Sequence, residues 1–290
     1  MTRRDAAFFI TLSAIWGSSF LLIKVGLLGG LGPLTLVMLR LLLGAAAMAL
    51  LARKLGEHFP RSGRILGVIA IMALINNTLP FSLITWGEQY IPSGLASILN
   101  SSVPLFAVII SHFALSDERF TWNRVAGVTV GFAGVAILFA PDLFSQGLSG
   151  AVIGQLAIIL ASLGYAAGSV IARKYLQGVP SATLSALQLS FALLWVSLPA
   201  LAWEKPWTMQ PTALAWFAVL WLGLVGTGLA YLMFFRLLKA IGATPTTMVT
   251  YVIPIFAVFF GVIFLGERLY WAQLAALALI FAGVWLVNRR

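Results

Sequence analysis

The sequence contains no cysteine and few charged residues. Without cysteine the chain cannot form disulfides, use a thiolate in catalysis or build a cysteine-ligated metal site. Only 9% of its 290 residues are Asp, Glu, Lys or Arg, whereas soluble domains contain about 25%. A soluble chain of this size must still cover a wetted surface, so a large core does not explain the shortage of charge. With 61% hydrophobic residues, the composition indicates an integral membrane protein.

Apolar runs of membrane-spanning length follow one another along the chain. A spanning helix needs about 20 mostly apolar residues, and breaks at charges, glycine and proline divide the chain into ten such runs. Two breaks are short, but each contains a carboxylate, Glu88 or Glu267, that would otherwise lie in lipid. The predicted spans are approximately 6–28, 33–51, 65–85, 92–115, 123–140, 151–172, 183–203, 212–235, 244–265 and 271–287.

The basic residues lie on one side of these spans. A net charge of +10 can indicate nucleic-acid binding, but Lys and Arg recur in ones and twos between apolar runs, as topology signals do. With the N-terminus inside, external loops hold only Lys205 and Arg268, and Lys24 and Arg40 lie within helices, which leaves 14 of the 18 Lys and Arg residues in cytoplasmic segments. We therefore expect both termini in the cytoplasm and no nucleic acid as partner. The first apolar run is too long for a signal peptide, so it is expected to remain as the first helix.

The two halves of the chain repeat one another. Pro104-Leu-Phe-Ala-Val108 recurs as Pro254-Ile-Phe-Ala-Val258, 150 residues later, and Glu118-Arg119 recurs as Glu267-Arg268. Chance similarity between apolar segments is the alternative, but it does not explain the shared proline and the Glu-Arg pair. An odd number of spans in each half inverts the second half in the membrane, which is an architecture of secondary transporters. We expect two inverted five-helix repeats, residues 1–145 and 146–290.

These residues carry a family resemblance. Trp16-Gly-Ser-Ser-Phe20, Arg40, the Gly94…Pro104…Glu118-Arg119 stretch and Leu265-Gly-Glu-Arg268 resemble the EamA-type drug/metabolite transporter superfamily, over essentially the whole chain. The resemblance implies ten helices, cytoplasmic termini and export of metabolites. Among subgroups, the sequence looks closest to the YddG-like amino-acid exporters, although cargo differs widely within the superfamily.

Two prolines and the polar pairs before them are candidates for a central cavity. Pro104 and Pro254 lie in mid-span, where proline removes a backbone hydrogen bond and kinks the helix. One turn earlier lie Asn100-Ser101 and Thr250-Tyr251. A polar face in a membrane helix must look toward other helices or water. The alternatives are an inert kink and hydrogen-bonding contacts between helices; we expect kinks at both prolines and a solute cavity lined by both pairs.

Further candidates lie in four other helices. The adjacent amides Asn76-Asn77 need hydrogen-bond partners at membrane depth, and Phe81 follows one turn later. Trp16, Tyr165 and Tyr231 are positioned to form aromatic walls. An isolated aromatic is often a packing residue or an interface anchor instead. We include Trp16, Asn77, Phe81, Tyr165 and Tyr231 in the predicted cavity.

Two basic residues lie inside predicted helices. Arg40 can attract a solute carboxylate or hold backbone carbonyls together, because a buried arginine is costly and is normally paired or functional. Its counterpart in the repeat is Gln188, so the charge is not symmetric, and the structural interpretation is favoured. For Lys24, near a helix end, snorkelling toward the interface is favoured.

The chemistry that is missing limits the function. No predicted helix carries a mid-span Asp or Glu, and His58 and His112 lie in a loop and near a helix end. Proton relays and embedded hydrolases require such groups, and the nucleotide-binding loop of an ATP-driven pump is absent. The sequence favours a secondary transporter that exports small metabolites, with neutral or aromatic amino acids as the expected cargo. Export of drugs or other metabolites and a membrane-embedded enzyme are the alternatives.

The expected surroundings follow from this interpretation. We expect a multi-pass protein of a bacterial plasma (inner) membrane, in contact with lipid and a small-molecule solute, without a cofactor or metal. Gly127 and Gly131 form a small-residue face on the fifth helix, which can pack within the protomer or between protomers. The expected state is therefore a monomer or a weak homodimer.

Overall fold

The computed structural model describes residues 2–116, 120–242, 246 and 248–288. Within these ranges all regular structure is helical. Eight helices are long and apolar enough to cross a membrane, and two shorter apolar helices follow them. The prediction of an all-helical, polytopic membrane protein is confirmed at this level. We number the helices α1 to α10: Arg3–Leu28, Pro33–Lys54, Gly63–Gly87, Ser93–Ala114, Trp122–Ser145, Gly150–Tyr175, Ser181–Glu204, Ala213–Ile241, Val249–Leu265 and Trp271–Val287.

Both short breaks predicted from the sequence are present. Helix α3 ends at Gly87 and α4 begins at Ser93, and α9 ends at Leu265 before α10 begins at Trp271. The predicted ninth span starts at 244, but residues 243–245 and 247 lie outside the described residues, as does the predicted Glu118-Arg119 motif.

Helices α2 and α7 cap each other: a glutamate at the C-terminal end of each one accepts hydrogen bonds from the N-terminus of the other. Glu57, just after α2, accepts a hydrogen bond from the backbone N–H of Thr183 at 2.7 Å, in the first turn of α7. Glu204, the last residue of α7, accepts from the N–H groups of Leu34 and Thr35 at 2.8 and 2.7 Å, in the first turn of α2. A carboxylate at a helix N-terminus satisfies free N–H groups and complements the helix dipole. The two caps fix the ends of α2 and α7 against each other.

A third glutamate caps the start of α4. Glu267, in the break between α9 and α10, accepts hydrogen bonds from the N–H groups of Ser93 and Gly94 at 2.7 and 3.0 Å. The side chain thereby ties the end of α9 to the helix that carries the predicted Asn100-Ser101 pair. The position of α4 is set by this contact as well as by apolar packing.

The helices pack in a small number of dominant pairs. Helix α2 packs on α7, α5 on α10 and α1 on α9, and α6 packs on both α3 and α4. At the α5–α10 crossing a Cβ atom on Gly127 or on Gly283 would overlap the carbonyl oxygen of the other. The second glycine of the predicted small-residue face, Gly131, lies against the side chain of Leu105. This face therefore packs within the chain, which brings the backbones of α5 and α10 together.

Candidate functional site

A cavity of about 400 Å³ lies among seven of the helices. Its walls come from α1, α2, α3, α4, α6, α8 and α9. The volume falls within the usual range for small-molecule sites, about 300–1,000 Å³. Most of the lining is apolar, and it includes the aromatic rings of Trp16, Phe20, Phe81, Tyr165, Tyr231 and Phe234.

The structure brings together eight of the nine side chains that the sequence placed in a cavity. They are Trp16, Asn77, Phe81, Asn100, Ser101, Tyr165, Tyr231 and Thr250. The ninth, Tyr251, is not part of this wall, and its ring lies edge-on to that of Phe281 at 6.2 Å between centroids. Neighbouring positions on a helix differ by about 100° in direction, and here that rotation turns the Tyr251 ring toward Phe281 of α10 while Thr250 lines the wall. The inclusion of Tyr251 in the cavity is corrected on this point.

The two prolines have different surroundings. Helix α4 is interrupted at Ser101 and Ser102, directly before Pro104, and Pro104 lies on the cavity wall. The hydroxyls of both serines donate to backbone carbonyls of the preceding turn, at 3.0 Å to Ser97 and 2.7 Å to Leu99. Such hydroxyls supply hydrogen bonds to the backbone of a broken membrane helix. In contrast, Pro254 is buried inside the continuous helix α9 and is not part of the wall.

Two wider helical turns form part of the wall. Residues Leu74–Thr78 of α3 and Trp221–Leu229 of α8 are π-helical. Such turns are frequent at functional sites, because they redirect side chains and carbonyls. The first turn carries Asn77. In the second, the carbonyl of Gly226 accepts a hydrogen bond from the indole N–H of Trp16 at 3.2 Å. Sequence reasoning missed Gly226 and Thr227, although the glycine-rich stretch of α8 is a signal for irregular helix.

Arg40 forms part of the cavity wall. Its guanidinium carbon lies 4.3 Å from the centroid of the Phe81 ring, a cation–π distance. Its Nε donates to the hydroxyl of Thr227 at 3.4 Å, which is long for a hydrogen bond. Its repeat counterpart, Gln188, is absent from the wall and donates through Nε2 to Oδ1 of Asn77. Arg40 and Gln188 occupy corresponding positions of the two repeats but make different contacts.

Lys24 and Glu88 lie outside the cavity wall. The ammonium group of Lys24 donates to the backbone carbonyls of Glu88 and Ile91, the latter at 3.0 Å. The side chain thus satisfies carbonyls in the break after α3, and the snorkelling of Lys24 toward the interface stays a prediction. Glu88 is fully buried, and neither of its carboxylate oxygens has a hydrogen-bond partner in the part of the chain that the structure describes. Among the described residues no group of three or more His, Asp or Glu side chains is arranged to hold a metal.

Apolar helices of membrane-spanning length around a mostly apolar cavity are typical of a polytopic membrane protein of the solute-transporter type. Comparison with known proteins gives the family. The sequence model of the EamA-like transporter family matches residues 5–140 and, a second time, residues 152–289. The chain belongs to the EamA-like transporter family. Of the classes considered from the sequence, this assignment supports a transporter.

Relatives and a solved structure cover nearly the whole chain. A "probable terminal-alkyne amino-acid exporter" of Streptantibioticus cattleyicolor is 28% identical, over 100% of this chain and 95% of its own length. The "uncharacterized inner membrane transporter YedA" of Escherichia coli K12 is 29% identical, over 94% and 87%. A crystal structure with 21% identity superposes with a TM-score of 0.68 over 99% of this chain and 98% of that one. At that identity the structural likeness supports the fold alone.

Proposed function

We propose that the protein is a secondary transporter of a bacterial inner membrane that exports small neutral or aromatic amino acids by alternating access. The observation that carries the proposal is the cavity among the helices, whose wall combines six aromatic rings with the amides of Asn76, Asn77 and Asn100. Sites for small molecules typically pair an apolar wall with a few polar groups that orient the ligand.

The proposed topology has ten crossings, with both termini in the cytoplasm. Two observations support it: the family model matches each half once, and the packing keeps its pattern when the halves are exchanged. In that exchange α1 on α9 becomes α6 on α4, while α2 on α7 and α5 on α10 map onto themselves. A periplasmic reporter fused after residue 290 should be silent, and one inserted in residues 146–149 should be active. The opposite result contradicts the topology.

The amino-acid cargo draws its support from two sources. The exporter of S. cattleyicolor is named for an amino acid, and the aromatic wall suits an apolar or aromatic side chain. Localisation in the inner membrane is supported by the name of the YedA transporter.

The test is counterflow of labelled amino acids in proteoliposomes that contain the purified protein. Phenylalanine, tryptophan, leucine and threonine should exchange faster than in protein-free vesicles, and glutamate and lysine should not. Asn100→Ala and Tyr231→Ala should lower the exchange rate while the yield of monodisperse protein is retained. Leu277→Ala, in α10 and outside the cavity wall, is the control. If no amino acid exchanges while a drug panel does, the cargo proposal is contradicted and drug export takes its place.

A further inference from the structure

The central cavity contains one charged side chain, and that charge is positive. On the wall formed by the described residues, Arg40 is the only Asp, Glu, Lys or Arg residue. Its side chain is 9% exposed. A guanidinium group does not lose its proton in proteins, so the cavity holds an unbalanced positive charge in a mostly apolar wall.

The protein uses little of the hydrogen-bonding capacity of this group. A guanidinium has five N–H donors, and within the described chain the hydrogen bonds of Arg40 amount to the long contact with Thr227 at 3.4 Å. The ring of Phe81 covers one face at 4.3 Å and does not occupy the donors along the guanidinium edge. No hydrogen bond within the described chain occupies the terminal N–H donors of Arg40, which can bind a carboxylate in bidentate fashion.

The described acidic side chains do not form an ion pair with Arg40. Glu88 interacts with it only at longer range, and the other five form hydrogen bonds elsewhere. These are Asp5 with Thr2, Glu57 with Thr183, Asp142 with Gln155, Glu204 with Thr35 and Glu267 with Ser93. The counter-charge for Arg40 thus has to come from another source.

An unpaired arginine at this depth lowers the stability of the protein unless an anion joins it. A glutamine occupies the corresponding position of the second repeat, so the scaffold accommodates a neutral side chain there. A positive charge kept on the wall of a cavity, without an acidic partner among the described residues, is suited to bind a negatively charged group of the solute.

We propose that Arg40 binds the carboxylate of the transported solute, which makes the cavity a site for small monocarboxylates with an apolar or aromatic body. This rests on the proposed function and narrows its substrate class. The carboxylate pairs with the guanidinium, and the apolar body contacts rings such as Trp16 and Phe234. Since no acidic side chain lines the described wall, an α-ammonium group of the solute has no counter-charge there. The carboxylate is required and the α-amino group is not.

Four ligands that share a phenyl ring test the inference. They are phenylalanine, 3-phenylpropionate, phenylalaninamide and 2-phenylethylamine, titrated calorimetrically into the purified protein in detergent. The wild type should bind the two carboxylates at least about tenfold more tightly than the amide and the amine, the size expected for hydrogen bonds between charged groups. This comparison needs no variant, so it holds even if a substitution impairs folding.

Variants of Arg40 then assign the effect to one side chain. Arg40→Gln copies the residue of the second repeat and should weaken both carboxylates at least about tenfold while leaving phenylalaninamide nearly unchanged. Arg40→Lys should retain part of the preference. Lys24→Gln is the matched control: it removes another partly buried cation, which contacts backbone carbonyls outside the cavity. It should lower the melting temperature without changing the ratio between carboxylates and amide.

Each result decides between the two proposals. If the amine and the amide bind as tightly as the carboxylates, the role of Arg40 is wrong, while transport of amino acids is unaffected. If Arg40→Gln weakens all four ligands equally and lowers the melting temperature, Arg40 is a structural residue. If none of the four ligands binds and no amino acid exchanges in proteoliposomes, both proposals fail.

Discussion

The two halves of the chain contribute unequally to the cavity, although they are alike elsewhere. Among the described residues, the first half supplies 14 of the 21 that line the wall, including the amides and the one charged side chain, and the second half supplies seven. Away from the cavity, the α5–α10 crossing is nearly symmetric. A Cβ atom added to Gly127 would overlap the carbonyl oxygen of Gly283, and one added to Gly134 would lie 2.8 Å from the carbonyl oxygen of Ala276. The helix crossing is thus alike in the two halves, whereas the cavity wall is not.

The largest expected effect comes from breaking the symmetric crossing. Gly283→Leu and Gly134→Leu should each lower the free energy of unfolding by about 3 kcal/mol, because a side chain there forces two backbones apart. Gly67→Leu, in α3 with nothing within 4 Å of its added Cβ, is the control and should melt like the wild type. The check is thermal unfolding of the purified proteins. If only one of the two substitutions lowers the free energy of unfolding, the two sides of the crossing contribute unequally to stability.

An exchange of residues between the halves tests the asymmetry of the cavity wall. In the double variant Arg40→Gln with Gln188→Arg, phenylalanine binding should stay at least about tenfold weaker than in the wild type. The reason is that residue 188 contacts Asn77 and does not line the cavity. Calorimetric titration measures the effect. Recovery of wild-type affinity would mean that the two positions are interchangeable.

The smallest expected effect is that of a proton gradient. No Asp, Glu or His lies on the described cavity wall, so a pH gradient should change the initial transport rate only slightly and should not drive accumulation. Uptake into proteoliposomes with and without a protonophore is the measurement. Accumulation that a protonophore abolishes in the wild type but that is absent from Glu88→Gln would assign proton coupling to the buried Glu88.

The sequence was sufficient for the helices because lipid imposes simple rules on length and charge. It also pointed to eight of the 21 described wall residues, since polar side chains at membrane depth must face inward. Sequence reasoning was insufficient where the direction of a side chain on its helix, or the length of that side chain, decides which residues it contacts. Thr250 and Tyr251 are adjacent and polar, yet they face different neighbours. Lys24 extends to carbonyls of another segment, which no local pattern reveals.

Arg40 shows a different limit of sequence reasoning. A buried arginine is recognisable from the sequence, but its partner is not, because the choice between backbone carbonyls and a ligand depends on packing of α2 against α3 and α8. The break of α4 at Ser101 and Ser102 was expected from Pro104. The same proline in α9 leaves the helix continuous, so the outcome depends on the surroundings of each proline.

Labelling of single cysteines tests the central claim most directly, that the cavity is the solute site and that Thr250, not Tyr251, faces it. The chain has no cysteine of its own, so Asn100→Cys, Thr250→Cys and Tyr251→Cys each report one position. The first two should react with a water-soluble thiol reagent, and saturating phenylalanine should slow the reaction, because an occupied site excludes the reagent. Tyr251→Cys should show no protection. If Asn100→Cys and Thr250→Cys react at the same rate with and without the solute while transport is intact, the solute passes elsewhere and the account is contradicted.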